Sequence, residues 1–250
     1  MKHLNTYKNE SFNMKPMATY ITEYIIKKKL DEPINSEDHY TYFPKTKNDL
    51  KKNINECIKN KNYDLNCIDT SAITDMSKLF YDSKFKDINI DVSEWNVSNV
   101  KNMSYMFYDC MKFDCDLSNW DVSKVKNMLC MFNRCDLFKG KGLENWNVSN
   151  VKDTSYMFLK CENLNCDLSG WNVSKVENMS SMFYGCKLFN CDLSKWDVSN
   201  VFDINDMFHD CIKFNCDLSS WDVSKVNVED MCDMFYNCDS LKNKPTWYKK

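Results

Sequence analysis

Glycine and proline are scarce in this chain, with 4 of each among 250 residues. Ordinary usage would supply about 17 and about 12. The shortage excludes glycine-rich phosphate loops, collagen-like runs and long flexible linkers. Histidine is limited to His3, His39 and His209, too few for a histidine-rich catalytic or metal centre. Of 33 basic residues only Arg134 is arginine, and the net charge is −3. A nucleic-acid surface normally shows a basic excess and arginine forks, so no nucleic-acid partner is expected. No apolar run approaches the roughly 18 residues of a membrane span. The opening residues, Met1 to Glu10, lack the apolar segment of an export signal. The stretch Ala18–Ile26 is broken by Glu23 and runs into Lys27-Lys28-Lys29, the wrong order for one. An intracellular setting is therefore expected, with the 14 cysteines as reduced thiols. Gly-x-Ser-x-Gly, Walker and His-Glu-x-x-His motifs are all missing, so neither catalysis nor a cofactor is expected.

What the chain does have is tryptophan, methionine and cysteine, at 7, 15 and 14 residues. The tryptophans are Trp95, Trp120, Trp146, Trp171, Trp196, Trp221 and Trp247, separated by 25 or 26 residues. A fixed period of that size marks a repeat array. The unit reads Trp-Asn/Asp-Val-Ser-x-Val-x-x-Met-x-x-Met-Phe-x-x-Cys-x-x-Phe-x-Cys-Asp-Leu-Ser. An earlier unit lacks its tryptophan: Ile68-Asp69-Thr70-Ser71-Ala72-Ile73 stands in its place, with Met76, Leu79, Phe80 and Ser83 in register. The domain reading follows: an extension over residues 1–44 with a helix at Met17–Leu30, a helical cap over 45–67, and seven repeats over 68–247 ending at Trp247. Within the cap, Thr46 is placed to start a helix from Lys47 to about Lys59, with Leu50, Ile54, Cys57 and Ile58 on one face.

Two periods alternate inside each unit. Phe113, Cys115 and Leu117 alternate with Asp114 and Asp116, which is strand spacing. Val100, Met103, Met106, Phe107 and Cys110 fall on one face of a helix. Ser98, Ser123, Ser149, Ser174, Ser199 and Ser224 precede such runs as N-cap residues, and Ser174-Lys175-Val176-Glu177 spells a capping box. The expected fold is α/β: a curved, right-handed solenoid like a leucine-rich repeat, with one short parallel strand and one short helix per repeat. Helices need about 8–10 Å and strands about 4.8 Å, and that mismatch is what would bend the stack.

Asp121-Val122-Ser123-Lys124-Val125-Lys126-Asn127-Met128, followed by Met131-Phe132-x-x-Cys135, resembles the BspA-like leucine-rich-repeat surface proteins. Their repeats also occur in mycoplasma surface proteins and in large DNA viruses. The resemblance covers the whole array, and Tyr42 to Asp69 resembles the segment preceding such arrays. It implies a protein-interaction or adhesion module without catalysis. Combined with the missing export signal, it favours an intracellular or viral product.

Four sets of residues recur in a form that chemistry could use. One cysteine column is Cys110, Cys135, Cys161, Cys186, Cys211 and Cys238, and a second is Cys115, Cys166, Cys191 and Cys216. Strung along a ladder, these do not converge as zinc ligands do, and they read as core thiols. The tryptophans Trp95, Trp120, Trp146, Trp171, Trp196 and Trp221 read as core as well. Asp91, Asp116, Asp167, Asp192 and Asp217 each lie four residues before a tryptophan, with Gly142 interrupting the series. Like charges at strand spacing repel, so either Asx-turns or a cation or basic ligand must offset them. This face is the candidate site, for Ca²⁺ or a lysine-rich ligand. A second Asx column, Asn96, Asp121, Asn147, Asn172, Asp197 and Asp222, includes three glycosylation sequons but accepts Asp equally, so a turn role is expected. The expected function is a noncatalytic scaffold binding another protein. A structural or assembly component is the alternative, or a surface adhesin if the chain is exported.

Overall fold

The computed structural model describes residues 39–248. The array lies in a unit of the chain that begins at Tyr42. The helix expected at Met17–Leu30 lies outside the described residues.

Helix α1 spans Lys47–Lys59, with Thr46 as N-cap. Thr46 Oγ1 accepts from the Asp49 N–H at 3.2 Å, and Asp49 Oδ2 accepts from the Thr46 N–H at 3.0 Å. That reciprocal box satisfies two early donors. Leu50, Ile54 and Cys57 form its buried face.

Beyond α1, the expected helix and strand of each repeat do not form. Among the described residues after Lys59, the only helical pieces are short 3₁₀ turns at Ser83–Phe85, Leu143–Asn145 and Val228–Met231. Extended pairing is reduced to isolated parallel bridges, among them Asp75 to Asn102, Asn102 to Asn127, Asn127 to Asp153, Asp153 to Asn178 and Asn178 to Asp203. The α/β reading is therefore corrected: this is a stack of coils built from turns.

The run Met103–Cys110 shows why no helix forms. Met106 N–H bonds Met103 O at 3.1 Å, and Cys110 N–H bonds Phe107 O at 3.1 Å, giving two successive four-residue turns. The third residue of each is left-handed, Tyr105 at φ 57° and Asp109 at φ 60°. The N–H groups of Met103, Tyr105, Phe107 and Asp109 then leave the coil. They reach Asn127, Leu129, Met131 and Asn133 O of the next repeat at 2.8–3.0 Å. A helix would use those donors internally; here they join one repeat to the next. The next repeat does the same from Met128, Cys130, Phe132 and Arg134. Each left-handed non-glycine residue costs on the order of 1–2 kcal/mol, offset because its N–H gains a partner along the stack. The inward residues, Met103, Met106, Phe107 and Cys110, are all buried. A period of four and a period of 3.6 cannot be told apart over so short a run.

The serines read as N-caps belong to Asx-turns instead. Ser98, Ser123, Ser149, Ser174, Ser199 and Ser224 donate their N–H to Oδ1 of the Asn or Asp two residues earlier, at 3.0–3.2 Å. Three of those acceptors are the sequon asparagines Asn96, Asn147 and Asn172.

The strand fails for a different reason. Phe113, Cys115 and Leu117 do point inward and are buried. In the later repeats, however, a thiol stands between neighbouring coils. Leu168 N–H donates to Cys191 Sγ at 3.1 Å, and Leu193 N–H to Cys216 Sγ at 3.2 Å. A side chain has replaced the carbonyl that a ladder would supply.

The core is a set of columns. Trp120, Trp146, Trp171 and Trp196 stack at 6.2–6.4 Å with planes within 3°. Each indole N–H donates to a carbonyl of the preceding repeat, as Trp171 to Leu143 O at 2.8 Å and Trp196 to Leu168 O at 3.0 Å. Phe80, Phe107, Phe132, Phe158, Phe183, Phe208 and Phe235 form a second column at 5.2–5.9 Å. Among the described repeats no helix stands opposite a strand, so the helix-against-strand mismatch invoked for a bend does not arise.

One surface column alternates. Asn99, Asn150 and Asn200 donate their amides to Ser71, Ser123 and Ser174 O of the preceding repeat at 2.7–2.9 Å. Lys124, Lys175 and Lys225, in the repeats between and after, donate to the side-chain oxygens of those same asparagines at 2.6–2.8 Å.

Candidate functional site

The aspartate column lies just before each tryptophan, where the chain runs extended and turns. Oδ1 of Asp91, Asp116, Asp167, Asp192 and Asp217 accepts the N–H of the serine two residues on, at 2.9–3.0 Å. The same oxygens meet cysteine thiols of the following repeat: Cys115 at Asp91, Cys191 at Asp167 and Cys216 at Asp192, at 3.4–3.5 Å. Hydrogen bonds from Ser169, Ser194 and Ser219 hold Asp167, Asp192 and Asp217 below the usual carboxylate range. All three therefore stay charged at neutral pH. None of them makes an ion pair among the described residues.

One repeat breaks the pattern. Lys139-Gly140-Lys141 occupies the positions held in the preceding repeat by Asp114-Cys115-Asp116. The Lys139 and Lys141 ammonium groups pair with Oδ2 of Asp114 and Asp116, the second at 2.7 Å. The turn thus uses Oδ1 of Asp116 and leaves Oδ2 for a cation. The Lys141 and Ser118 hydrogen bonds lower the Asp116 pKa to about 2.

Further along, the face opens into a groove of about 700 Å³ lined by Asn190, Asp192, Ser194, Asn215, Asp217 and Ser219. A smaller groove of about 200 Å³ includes Asn89, Asp91, Asp114 and Asp116. Among the described residues, no group of three or more His, Cys, Asp or Glu converges as a metal-ligand set.

The first cysteine column is inward and occupied. Cys135, Cys161, Cys186, Cys211 and Cys238 donate their thiols to Phe107, Phe132, Phe158, Phe183 and Phe208 O at 2.9–3.1 Å. Cys110 reaches Phe80 O at 3.5 Å. Burial pushes Cys135, Cys161, Cys186 and Cys211 well above the ordinary thiol pKa, the opposite of nucleophile activation. Trp95, Trp120, Trp146, Trp171, Trp196 and Trp221 are all buried in the core.

Two features escaped the sequence reading. A third Asx column, Asp75, Asn102, Asn127, Asp153, Asn178 and Asp203, accepts N–H groups two residues on at 2.8–3.0 Å and also carries the parallel bridges. Its signal was present, since an Asn or Asp stands seven residues after each tryptophan from Trp95 to Trp171. The other is His209. Its ring is sandwiched between Tyr184 at 4.4 Å and Tyr236 at 4.7 Å. Its Nδ1 lies 3.0 Å from Asp206 Oδ1.

Among the described residues, no helix is long and apolar enough to cross a membrane. No curated protein and no solved structure matches the chain. A family model described as "Mycoplasma protein of unknown function, DUF285" matches residues 48–169 and again residues 132–248. Those overlapping matches support the mycoplasma part of the resemblance, and they do not extend to the BspA-like assignment. With the array and most of the chain inside them, the protein belongs to the DUF285 family.

Proposed function

We propose that this chain is a noncatalytic repeat scaffold whose aspartate–asparagine face binds an extended polypeptide carrying lysines at alternate positions. One observation carries the reading. Lys139 and Lys141, on either side of Gly140 at φ 85°, place their ammonium groups on Asp114 and Asp116. The repeats at Asp167, Asp192 and Asp217 offer the same Asx geometry, with no lysine paired to it among the described residues. Asn165, Asn190 and Asn215 stand where Asp114 stands, adding amide donors and acceptors for a peptide backbone. The absence of catalysis is supported by column thiols made less acidic by burial and by carboxylates engaged in turns.

The test is titration of a fluorescent peptide with a Lys-x-Lys-x-Lys pattern, at low and at physiological salt. Binding is expected to weaken with salt, because exposed charges are screened beyond about 8–10 Å. Replacing Asp167, Asp192 and Asp217 together by Asn keeps the Oδ1 acceptor and removes the charge. That variant is expected to lose most of the binding while melting as before. Equal binding by the triple variant, or no preference for alternate over consecutive lysines, would refute the reading.

A further inference from the structure

Exposed lysines gather at one corner of the early coils. In the repeats that begin at Trp95, Trp120 and Trp146, the fourth and sixth positions after the tryptophan hold Asn99 and Lys101, Lys124 and Lys126, and Asn150 and Lys152. No carboxylate stands among them. Lys101, Lys126 and Lys152 are all exposed. Lys126 N–H bonds Lys101 O, and Lys152 N–H bonds Lys126 O, both at 2.9 Å. The three therefore stand one per coil, in a ladder along the stack. Lys152 pairs with Glu177 at 2.7 Å, while Lys101 and Lys126 make no ion pair among the described residues. Lys124 adds a fourth charge on the other side of the buried Val125, with its ammonium on Asn99 Oδ1 at 2.8 Å. Lys124-Val125-Lys126 thus has the alternate spacing of Lys139 and Lys141. Beyond Lys152 the sixth position holds Glu177, Phe202 and Asn227, so the lysines stop where the unpaired aspartates Asp167, Asp192 and Asp217 begin.

Those aspartates are the complement of the lysine ladder. All three are exposed, and the Asx-turn of each uses Oδ1. Oδ2 is then open to a cation, as Oδ2 of Asp116 is to Lys141. The two ladders also share one rise. Indole rings repeat at 6.2 Å between Trp120 and Trp146 and at 6.3 Å between Trp171 and Trp196. Three ammonium groups and three carboxylates at one rise can meet rung for rung. A foreign chain would have to reproduce that rise, and a second copy has it already. Within one copy the ladders do not meet: they occupy different coils, and two Asx-turns, such as those at Asp116 and Asp121, lie between their columns.

We propose that the lysine ladder of one copy seats on the aspartate ladder of a second copy. This partner occupies the aspartate–asparagine face, and so rests on the peptide-binding role proposed for that face. Because the two ladders are different surfaces, the contact is heterologous. Each copy that uses its lysines still offers its aspartates, and association continues copy by copy. Exposed ion pairs contribute little singly, so several rungs must form together, and salt dissolves them by screening.

The experiment is sedimentation of the full chain over a range of concentrations, at low and at high salt. At low salt the unaltered chain is expected to pass twice the monomer mass as concentration rises, and to return to monomer at high salt. One variant carries Lys101→Gln, Lys126→Gln and Lys152→Gln, and the other carries Asp167→Asn, Asp192→Asn and Asp217→Asn. Both change exposed side chains alone, and each is expected to stay monomeric with an unmoved melting midpoint. Mixed in equal amounts, they hold one lysine ladder and one aspartate ladder between them and are expected to stop at dimer. A monomer at every concentration, either variant reaching the mass of the unaltered chain, or a mixture that stays monomeric would overturn the proposal. The lysine variant keeps its aspartate face, so its titration with the Lys-x-Lys-x-Lys peptide separates the two readings. Peptide bound without self-association of the unaltered chain removes the second copy alone. Neither peptide binding nor self-association removes the face reading as well. Polyglutamate bound by a monomeric unaltered chain would give the lysines to a foreign acidic partner and also overturn the proposal.

Discussion

The segment Phe138–Trp146 and the segments Phe189–Trp196 and Phe214–Trp221 hold the same place in their coils and differ on the polar side. Their inward residues match: Phe138, Phe189 and Phe214 are fully buried, and Trp146, Trp196 and Trp221 are each 4% exposed. Outward, one carries Lys139 and Lys141 where the others carry Asn and Asp. The backbone adjusts with it. A Cβ on Gly140 would lie 2.5 Å from Cys166 Sγ. Gly142, at φ 93°, absorbs one extra residue, and its Cβ would lie 2.2 Å from the Ser118 nitrogen. The core columns and the charged face are thus separable. The stack tolerates a reversed charge and an added residue, provided glycine makes room.

Three tests separate these regions further. The largest effect is expected from Trp171→Ala, midway between the lysine-bearing repeat and the open groove. Losing a buried indole should cost about 3–5 kcal/mol. Because repeats contact only their neighbours, the melt should also split into two steps. A single transition at the original midpoint would show that the columns do not couple the halves.

Gly142→Ala comes next. The clash with the Ser118 backbone and the left-handed φ together should cost about 2–4 kcal/mol. Gly170→Ala is the control, since nothing lies within 4 Å of its Cβ position. A shift of under about 0.5 kcal/mol is expected there. Equal denaturation midpoints for the two variants would remove the special role of Gly142.

The smallest effect is expected from Lys141→Ala, which should barely move stability at neutral pH. Asp116, held at about pKa 2, stabilises the fold fully above the ordinary aspartate value near 3.9. That contribution is lost as pH falls through about 2. Without Lys141 the Asp116 pKa should rise, so that the contribution is smaller and is already gone at a higher pH, as a carboxyl-carbon NMR titration would show. An unmoved pKa would mean that Ser118 alone sets it.

Much of the interior was legible in the sequence. Equal spacing projects like residues onto like, which is why the Trp, Phe and Cys columns could be read before any coordinate. Helix α1 was legible from Thr46 and its apolar face. The repeat conformation was not. Met103, Met106, Phe107 and Cys110 fit a helix and a pair of turns equally well. The left-handed turn positions gave little glycine signal, because Tyr105, Asp109, Cys130, Arg134 and Lys160 fill them beside Gly185. Inter-repeat hydrogen bonds, not local preference, decide that backbone. The strand misread has a similar root: alternation locates Cys191 inward but cannot say that its sulfur will receive the Leu168 N–H. On the candidate face, the aspartate spacing was visible. The lysine pair seated on it was not, because nothing in a lone Lys-Gly-Lys identifies its neighbours in the preceding coil.

The alternation of Asn99, Lys124, Asn150, Lys175, Asn200 and Lys225 gives the stack a parity. Each lysine relies on the asparagine before it, and each asparagine on a serine carbonyl of the preceding coil. Duplicating one repeat would place two ammonium groups side by side, or leave an asparagine oxygen without its lysine. Duplicating two would reproduce the surface unchanged. Adding repeats in pairs is the change that keeps this column's hydrogen bonds intact.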